Sequence, residues 1–223
     1  MATKNNSQEP EINVGEAISQ TEQFFDKYKK VIIYSLSALV VIIALGLLYK
    51  QFVMIPKEKE AVNQTFKAEQ YFRNNEFEMA LNGDGNAYGF KQIIDEYGAK
   101  AGDAVYFYAG VCELQLGNYK DAMGYLKKYN GTDPIIYARA LACIGDAHSG
   151  MGEYKEAAAE YEKAAAHADN VLAAGYLLKA GTVYEELGEN AKALKMYEQI
   201  RDKYPQSYES FDISKYITRL QNK

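Results

Sequence analysis

The sequence predicts an all-α protein in which one apolar helix near the N-terminus precedes an α-solenoid of paired antiparallel helices. A stretch of 19 residues, 31–49, carries no charge. Further along the chain, a short motif occurs three times at spacings of 35 and 36 residues. The 223 residues include 20 Tyr, only 4 Pro and no Trp, a composition that suits helices packed through tyrosines better than a turn-rich β fold.

The uncharged stretch reads VIIYSLSALVVIIALGLLY and has the length of a membrane-spanning helix, about 28 Å at about 1.5 Å per residue. Only Ser35 and Ser37 interrupt it, and both can hydrogen-bond back to their own helix. A buried helix of a soluble protein normally keeps a polar stripe, and a cleaved signal peptide is normally shorter and ends in small residues. The sequence therefore favours a single-pass transmembrane anchor over both alternatives.

The lysines beside the stretch predict its orientation. Three of them fall within residues 27–30, before the stretch, and one falls within the six residues that follow Tyr49. Because lysines close to a span tend to remain in the cytoplasm, we expect a cytoplasmic N-terminus. The polar residues before the anchor are expected to form a flexible tail, and the alternative at its end is a short helix into the membrane, lined by Ile18, Phe24, Phe25 and Tyr28.

The recurring motif reads GNYKDA, GEYKEA and GENAKA. Each copy opens with a glycine, a second glycine lies seven positions earlier, and an alanine lies five positions later. Since seven residues make two helical turns, the two glycines are expected to close one helix and the alanine to face it from the next. The repeat-defining residues are Gly110, Gly117 and Ala122, then Gly145, Gly152 and Ala157, then Gly181, Gly188 and Ala193.

The crossing point of each helix pair is expected to join the earlier glycine with the alanine, since two helices approach closely only where both lack bulk. Four residues after the alanines come Leu126, Tyr161 and Tyr197, which lie one turn further on the same face and should fill the space between helices. This pattern resembles the tetratricopeptide repeat, whose usual period is about 34 residues. The resemblance implies a right-handed solenoid.

The two ends of the array should differ from its middle, because each outer repeat lacks a neighbour. The glycine-rich segment NGDGN at 82–86 interrupts the first unit, and it lacks the residues that a calcium-binding loop requires at three positions. The predicted division is a flexible tail (1–26), an anchor with its basic flank (27–50), a juxtamembrane helix and degenerate first repeat (51–102), three repeats (103–136, 137–172 and 173–207) and a capping helix (208–223).

The chain offers little for catalysis. His148 and His167 do not have the spacing of metal ligands, and Cys112 and Cys143 lie among apolar residues, as buried free thiols do. A disulfide between the two cysteines stays open at this point. No phosphate-binding loop, nucleophile elbow or His-Glu-x-x-His motif occurs, and the net charge of −5 does not suit nucleic acid. We therefore expect no enzyme, no cofactor, no metal site and no nucleic-acid partner.

Repeat arrays usually bind partners on the concave surface that their first helices form. The register of the repeats predicts a groove that is apolar at one end and acidic at the other. Recognition of a partner's terminal carboxylate is disfavoured, because apolar side chains stand where Lys and Asn would be needed. The candidate groove residues are Phe107, Val111, Leu114, Asp146, Leu178, Thr182 and Glu185.

The order of these segments, with repeats reading IGDAHSGMGEYKEAAAEYEKAA and KAGTVYEELGENAKALKMYEQIRDKYPQS, resembles the YfgM-like family of bacterial membrane-anchored tetratricopeptide proteins. The resemblance implies a single-pass protein of the bacterial inner membrane with a cytoplasmic N-terminus and periplasmic repeats. It also implies an ancillary role at the Sec translocon and association with PpiD, a membrane-anchored chaperone.

The function favoured by the sequence is a non-catalytic adaptor that holds a partner chaperone or a newly exported chain. The alternative is a structural scaffold of an envelope assembly complex, like the tetratricopeptide subunit of the outer-membrane barrel machinery. That subunit normally carries a lipidated N-terminal cysteine, whereas the first cysteine here is Cys112. An enzyme whose site a partner chain completes is the third hypothesis.

Overall fold

The computed structural model describes residues 14–168 and 170–222, and the side chains at 24, 27–98, 100–168 and 170–222. These residues form α-helices joined by short connections, and no strand occurs among them, which confirms the all-α prediction. The chain divides into two compact units, Met1–Ile55 and Pro56–Lys223.

The first unit contains helix α1 (Val14–Tyr49) and one π-helical segment (Lys50–Met54). Among the described residues one helical stretch, beginning at Lys27, is long and apolar enough to cross a membrane, and none of its apolar window is buried. The hydroxyls of Ser35 and Ser37 donate to backbone carbonyls one turn earlier, at 3.0 and 2.9 Å. Both serines are thus satisfied within the helix, as a span in hydrocarbon requires.

Helix α1 begins inside the segment that the sequence assigned to a flexible tail. Residues 14–26 are helical, and only 1–13 of that tail lie outside the described residues. The rings of Phe24 and Tyr28, four residues apart on one helical face, lie 4.8 Å from each other. Such a pair supports a helix, so the tail prediction is corrected for 14–26.

The second unit, called here the repeat unit, consists of helices that run in chain order with short connections. A 3₁₀ turn, Gly98–Ala101, precedes its fourth helix. The helices are α2 (Ile55–Arg73), α3 (Phe77–Asn82), α4 (Phe90–Tyr97), α5 (Ala104–Gln115), α6 (Tyr119–Leu126), α7 (Pro134–Gly150), α8 (Tyr154–Ala168), α9 (Ala173–Glu186), α10 (Asn190–Lys203) and α11 (Ser210–Gln221).

From α5 to α11 each helix packs against the next one in the chain. The pairs α5/α6, α7/α8 and α9/α10 are therefore antiparallel hairpins, and α5, α7, α9 and α11 run in one direction. We call α2, α5, α7, α9 and α11 the first helices. Three buried clusters hold the unit together, the first among α2 to α5, the second among α5 to α7 and the third from α7 to α11.

Helix α7 begins three residues before the repeat boundary predicted at 137. Asp133 accepts hydrogen bonds from the backbone N–H groups of Ile135 and Ile136, at 2.8 and 3.1 Å, and Pro134 occupies the first helical position. A capping Asp followed by Pro is a strong helix start, and it sets the boundary here.

Helices α3 and α4 together take the place of one second helix. A β-carbon added to Gly89 would meet the backbone of Gly83 and Leu81, so the connection 83–89 leaves and returns at nearly the same point. Lys91 of α4 then contacts Glu113 of α5, as Glu162 of α8 contacts Tyr184 of α9. Helix α4 therefore resumes the path of α3, and α2 runs parallel to α5.

Asp84 organises the connection 83–89. Its carboxylate accepts from the backbone N–H groups of Asn86 and Ala87, at 2.9 and 2.7 Å, and from the Tyr71 hydroxyl at 2.6 Å. These donors lower the pKa of the Asp84 carboxyl from 3.8 to about 2, with the Tyr71 hydroxyl as the largest cause. The stabilisation they give is present above pH 3.8 and is lost as the pH falls towards 2.

We expect Tyr71→Phe to raise the pKa of Asp84, because it removes that largest cause, but to leave it below 3.8, because both backbone donors remain. Titration of the Asp84 carboxyl by ¹³C NMR measures this. Tyr88→Phe, in the same connection, is the control and should change nothing. An unaltered pKa in the Tyr71→Phe chain would contradict the assignment.

Candidate partner-binding surface

The three motif glycines end the first helices α5, α7 and α9. Gly117, Gly152 and Gly188 have φ of +80°, +76° and +72°, a region that L side chains rarely enter. The N–H of the residue after each glycine bonds the carbonyl five residues earlier, at 2.8–2.9 Å, as in a Schellman motif. Each turn reverses the chain within a few residues and positions the following helix antiparallel.

A fourth copy of this turn lies in the degenerate first unit. Asn75 has φ +61°, and the N–H of Glu76 bonds the carbonyl of Tyr71 at 2.9 Å. Ala68, seven residues before Asn75, and Ala80, five after it, are fully buried. The sequence predicted a degenerate first repeat here without a turn glycine, and Asn75 supplies the turn, because Asn is the other residue that tolerates this backbone conformation.

The crossing points are tighter than the sequence predicted and involve a different partner. A β-carbon on Gly110 would lie 2.6 Å from Leu126 Cγ, and one on Gly145 would lie 2.7 Å from Tyr161 Cε1. The ring of Tyr197 leaves no room at Gly181 in the same way. The alanines contribute backbone, since the carbonyl oxygens of Ala122 and Ala157 come next in distance at Gly110 and Gly145. The main contact of each glycine is thus the bulky residue four positions after the alanine, namely Leu126, Tyr161 or Tyr197.

The predicted apolar end of the groove is wrong for two of its residues. Phe107 is 6% exposed and Val111 is 9% exposed, and both belong to the cluster among α5, α6 and α7. Leu114 and Leu178 are half-buried and pack against neighbouring clusters. Helix α7 covers this face of α5, so Phe107 and Val111 stabilise the array and are not free to bind a partner.

The predicted acidic end of the groove is occupied by contacts within the repeat unit. Asp146 accepts from the Tyr161 hydroxyl at 2.7 Å and from Lys179 Nζ at 2.6 Å. Glu185 accepts from the Tyr197 hydroxyl at 2.7 Å and from Arg219 at 2.5 Å. Each carboxylate therefore links its own repeat to the next first helix.

These contacts also keep the two tyrosines protonated. Burial, followed by the hydrogen bond to Asp146, raises the pKa of Tyr161 well above its ordinary value. Burial and the bond to Glu185 raise the pKa of Tyr197 in the same direction. Both phenols thus act as hydrogen-bond donors at physiological pH, and neither is poised for acid–base chemistry.

The surface that the repeats do expose lies at equivalent positions of the first helices. These positions are six and two residues before, and one residue after, the buried small residue of each helix, which is Ala68, Gly110, Gly145 or Gly181. Val62 and Phe66 of α2 are 61% and 58% exposed. We call this surface the first-helix stripe, and its exposed members are Val62, Phe66, Ala104, Arg139, Lys179 and Thr182.

Of the predicted groove residues, only Thr182 lies on the stripe as an exposed side chain. The stripe places apolar side chains on α2 and basic ones on α7 and α9, of which Lys179 of α9 is already paired with Asp146. Val62 and Phe66 could have been predicted from the sequence only if Ala68, Asn75 and Ala80 had first been recognised as one copy of the repeat register. Repeated side chains on parallel helices can bind an extended or helical segment, which is the chemistry of a binding surface.

Among the described residues no group of three or more His, Cys, Asp or Glu is placed to hold a metal ion. Cys112 and Cys143 are both free and buried. Burial raises the pKa of the Cys112 thiol to about 12 and that of Cys143 to about 11. His148 lies 2.6 Å from Glu153 across the turn that ends α7. The two thiols are thus buried and the imidazole is paired with a carboxylate, which are the surroundings of residues that stabilise a fold.

Comparison with known proteins identifies the repeat. The tetratricopeptide repeat family matches residues 104–134 and 176–207, which contain the pair α5/α6 and most of the pair α9/α10. No curated protein matches the chain. The chain thus contains tetratricopeptide repeats, and the pair α7/α8 between the two matches has the same turn and the same crossing.

Proposed function

We propose that this protein is a membrane-tethered, non-catalytic adaptor that holds a partner polypeptide along the first-helix stripe. The observation that carries the proposal is the stripe itself, in which exposed side chains lie at three equivalent register positions on parallel tetratricopeptide helices. The apolar residues on α2 and Arg139 on α7 would contact different parts of one bound segment. Protein–protein interaction is the activity that such repeats support.

The apolar helix supplies the tether in this proposal. Its length, its lack of charge and its satisfied serines fit a single span. Following the YfgM-like resemblance, the membrane is the bacterial inner membrane, the N-terminus is cytoplasmic and the repeats are periplasmic. The partners are the Sec translocon and a membrane-anchored, PpiD-like chaperone.

Topology can be tested with introduced cysteines, because the native Cys112 and Cys143 are buried and their raised pKa values keep them as unreactive thiols. Lys155→Cys, at an exposed position of α8, should react with a membrane-impermeant maleimide in intact spheroplasts. Ser7→Cys should react only after lysis. The opposite pattern would reverse the orientation, and a mature chain that lacks the apolar helix would identify a cleaved signal segment.

The stripe can be tested by photocrosslinking in native membranes. A photoreactive amino acid at Phe66 or Arg139 should crosslink to the translocon or the PpiD-like chaperone. The matched controls are Lys155 of α8 and Lys195 of α10, which are exposed on second helices and should give no such products. Equal crosslinking from all four positions, or products only from the second helices, would remove the stripe from the proposal.

A further inference from the structure

Apart from Val62 and Phe66 on the first-helix stripe, the most exposed large apolar side chains of the described repeat unit lie at one edge, where successive repeats are connected. The α8–α9 connection exposes Val171 by 54% and Leu172 by 45%, and the α10–α11 connection exposes Tyr208 by 86%. Ile135 and Phe211, in the first turns of α7 and α11, are 50% and 81% exposed. We call these five residues the connection edge.

The opposite edge, formed by the glycine turns within repeats, differs in composition. Its exposed apolar residues include Leu116 and Tyr154, and each of these is only 37% exposed. Polar residues follow the turn glycines directly, with Asn118, Glu153 and Glu189 at equivalent positions. Of the two edges, the connection edge is therefore the one with the greater apolar exposure.

The connections lie beside one another, so the exposed side chains form a row. Asn170 and Val171 line one depression together with residues 203–207. Glu209 reaches across to Gly175, where an added β-carbon would lie 3.1 Å from its carboxylate. The rings of Tyr208 and Phe211 lie 6.4 Å apart, edge to face. Rows of exposed apolar residues of this kind usually mark a surface that meets another apolar phase.

Lysines accompany this row. Lys127 and Lys128 end the α6 segment, and Lys203 ends α10, all of them exposed. Acids lie in the row as well, since Asp133 caps α7 and Glu209 and Asp212 flank Tyr208 and Phe211. Exposed aromatic and aliphatic side chains with charged neighbours of both signs match the interfacial region of a bilayer.

The direction of the helices points to the same occupant. The connections join the N-terminal ends of the first helices, and α2, the earliest of these, runs parallel to α5. Within the repeat unit, the N-terminal end of α2 thus lies at the same edge as the exposed apolar row. If the preceding segment is anchored, tethering raises the effective concentration of lipid at this edge, so weak contacts suffice.

We propose that the connection edge lies on the surface of the lipid bilayer, with Val171, Leu172 and Tyr208 in the headgroup region. This inference rests on the membrane anchoring proposed above and adds a second, peripheral contact to it. Such a contact would fix the orientation of the repeat unit and hold the first-helix stripe at a set distance from the membrane.

The absence of tryptophan from the sequence allows a direct test with the full chain in phosphatidylcholine–phosphatidylglycerol vesicles. Each variant carries one tryptophan, introduced by Tyr208→Trp at the connection edge, Tyr154→Trp at the opposite edge or Ile42→Trp in the apolar helix. We expect lipids with brominated acyl chains to quench Ile42→Trp and Tyr208→Trp and to spare Tyr154→Trp. Emission of Tyr208→Trp should also shift to shorter wavelength.

A second variant tests the proposed contact with lipid by changing two residues of the connection edge near Tyr208. Adding Val171→Glu and Leu172→Glu to the Tyr208→Trp chain should reduce quenching by brominated lipid while the thermal unfolding curve stays the same. Both residues are about half exposed or more, so folding does not depend on them strongly. Unchanged quenching in this chain would overturn the proposal.

The outcomes separate this inference from the proposed function. Quenching of Ile42→Trp without quenching of Tyr208→Trp would overturn the peripheral contact and leave the anchor standing. Quenching of neither would remove the anchor and this inference together. A Tyr208→Trp chain that is shielded from aqueous iodide but not quenched by lipid would show that a protein, such as a second copy, covers the edge, and would overturn the inference as well.

Discussion

A chain in which leucine replaces Gly145 is expected to lose about 1–3 kcal/mol of unfolding free energy through overpacking. A β-carbon at this position would already lie 2.7 Å from Tyr161 Cε1 and 3.2 Å from the carbonyl oxygen of Ala157. Tyr161 is 3% exposed, so its ring has no open space into which it can move. Moving the ring would also stretch the hydrogen bond from its hydroxyl to Asp146.

A helix-propensity gain opposes this loss, since replacing a helical glycine stabilises a helix by up to about 1 kcal/mol. The steric cost is the larger effect at Gly145. Gly124 of α6 provides the matched control, because it is helical and exposed, and an added β-carbon there would meet nothing within 4 Å. Gly124→Leu is therefore expected to leave stability unchanged or to raise it slightly.

Thermal unfolding of the full chain in detergent, followed by circular dichroism, compares the two variants. Since a stability change of about 1 kcal/mol shifts the melting temperature of a domain of this size by about 2–4 °C, the expected difference is measurable. Equal melting temperatures for Gly145→Leu and Gly124→Leu would mean that the crossing of α7 and α8 is not closely packed.

The glycine and alanine register predicted the helices because it reports local requirements. A turn that needs positive φ selects Gly or Asn, and a close crossing selects a residue without bulk, whatever the rest of the chain does. Gly152 and Gly145 therefore identify a turn and a crossing from the sequence alone. The insertion 83–89 could not be placed in this way, because its ends meet through Gly83 and Gly89 and no local pattern records that contact.

The candidate site was predicted less well, because exposure depends on which neighbour covers a helix face. Phe107 and Val111 have the spacing of a helical stripe, but the same spacing serves a groove and a core. Helix α7 covers them, and that packing is a tertiary contact. Asp146 and Glu185 were identified as charged groove residues, yet their partners, Lys179 and Arg219, come from the next first helix more than 30 residues away.

The most deeply buried carboxylate among the described residues joins the degenerate first repeat to the first clear repeat. Glu113 of α5 is 1% exposed, and Lys91 Nζ of α4 lies 2.7 Å from its Oε1. This approach is an ion pair, although it is not a well-directed hydrogen bond. Asn118, in the following turn, donates to the other carboxylate oxygen at 2.8 Å. The carboxylate also holds the pKa of Lys91 above its ordinary value, so the lysine stays charged.

Lys91→Met is expected to lower the unfolding free energy by about 3 kcal/mol, because it leaves a buried carboxylate without its cation. The expected cost lies at the low end of the range for broken buried pairs, since Asn118 still donates to Glu113. Urea unfolding of the full chain measures the change. Lys215→Met is the matched control, because Lys215 and its partner Asp212 are both exposed on α11, and it should leave the unfolding free energy nearly unchanged.

The double variant Lys91→Met with Glu113→Leu distinguishes a broken ion pair from lost packing. If an uncompensated charge causes the instability, removing the charge as well should restore most of it, and the double variant should unfold within about 1 kcal/mol of the natural chain. If the aliphatic stem of Lys91 matters instead, the two losses should add, since Leu cannot replace the contacts of both side chains. Additive losses would therefore show that side-chain packing, and not the ion pair, stabilises the contact between α4 and α5.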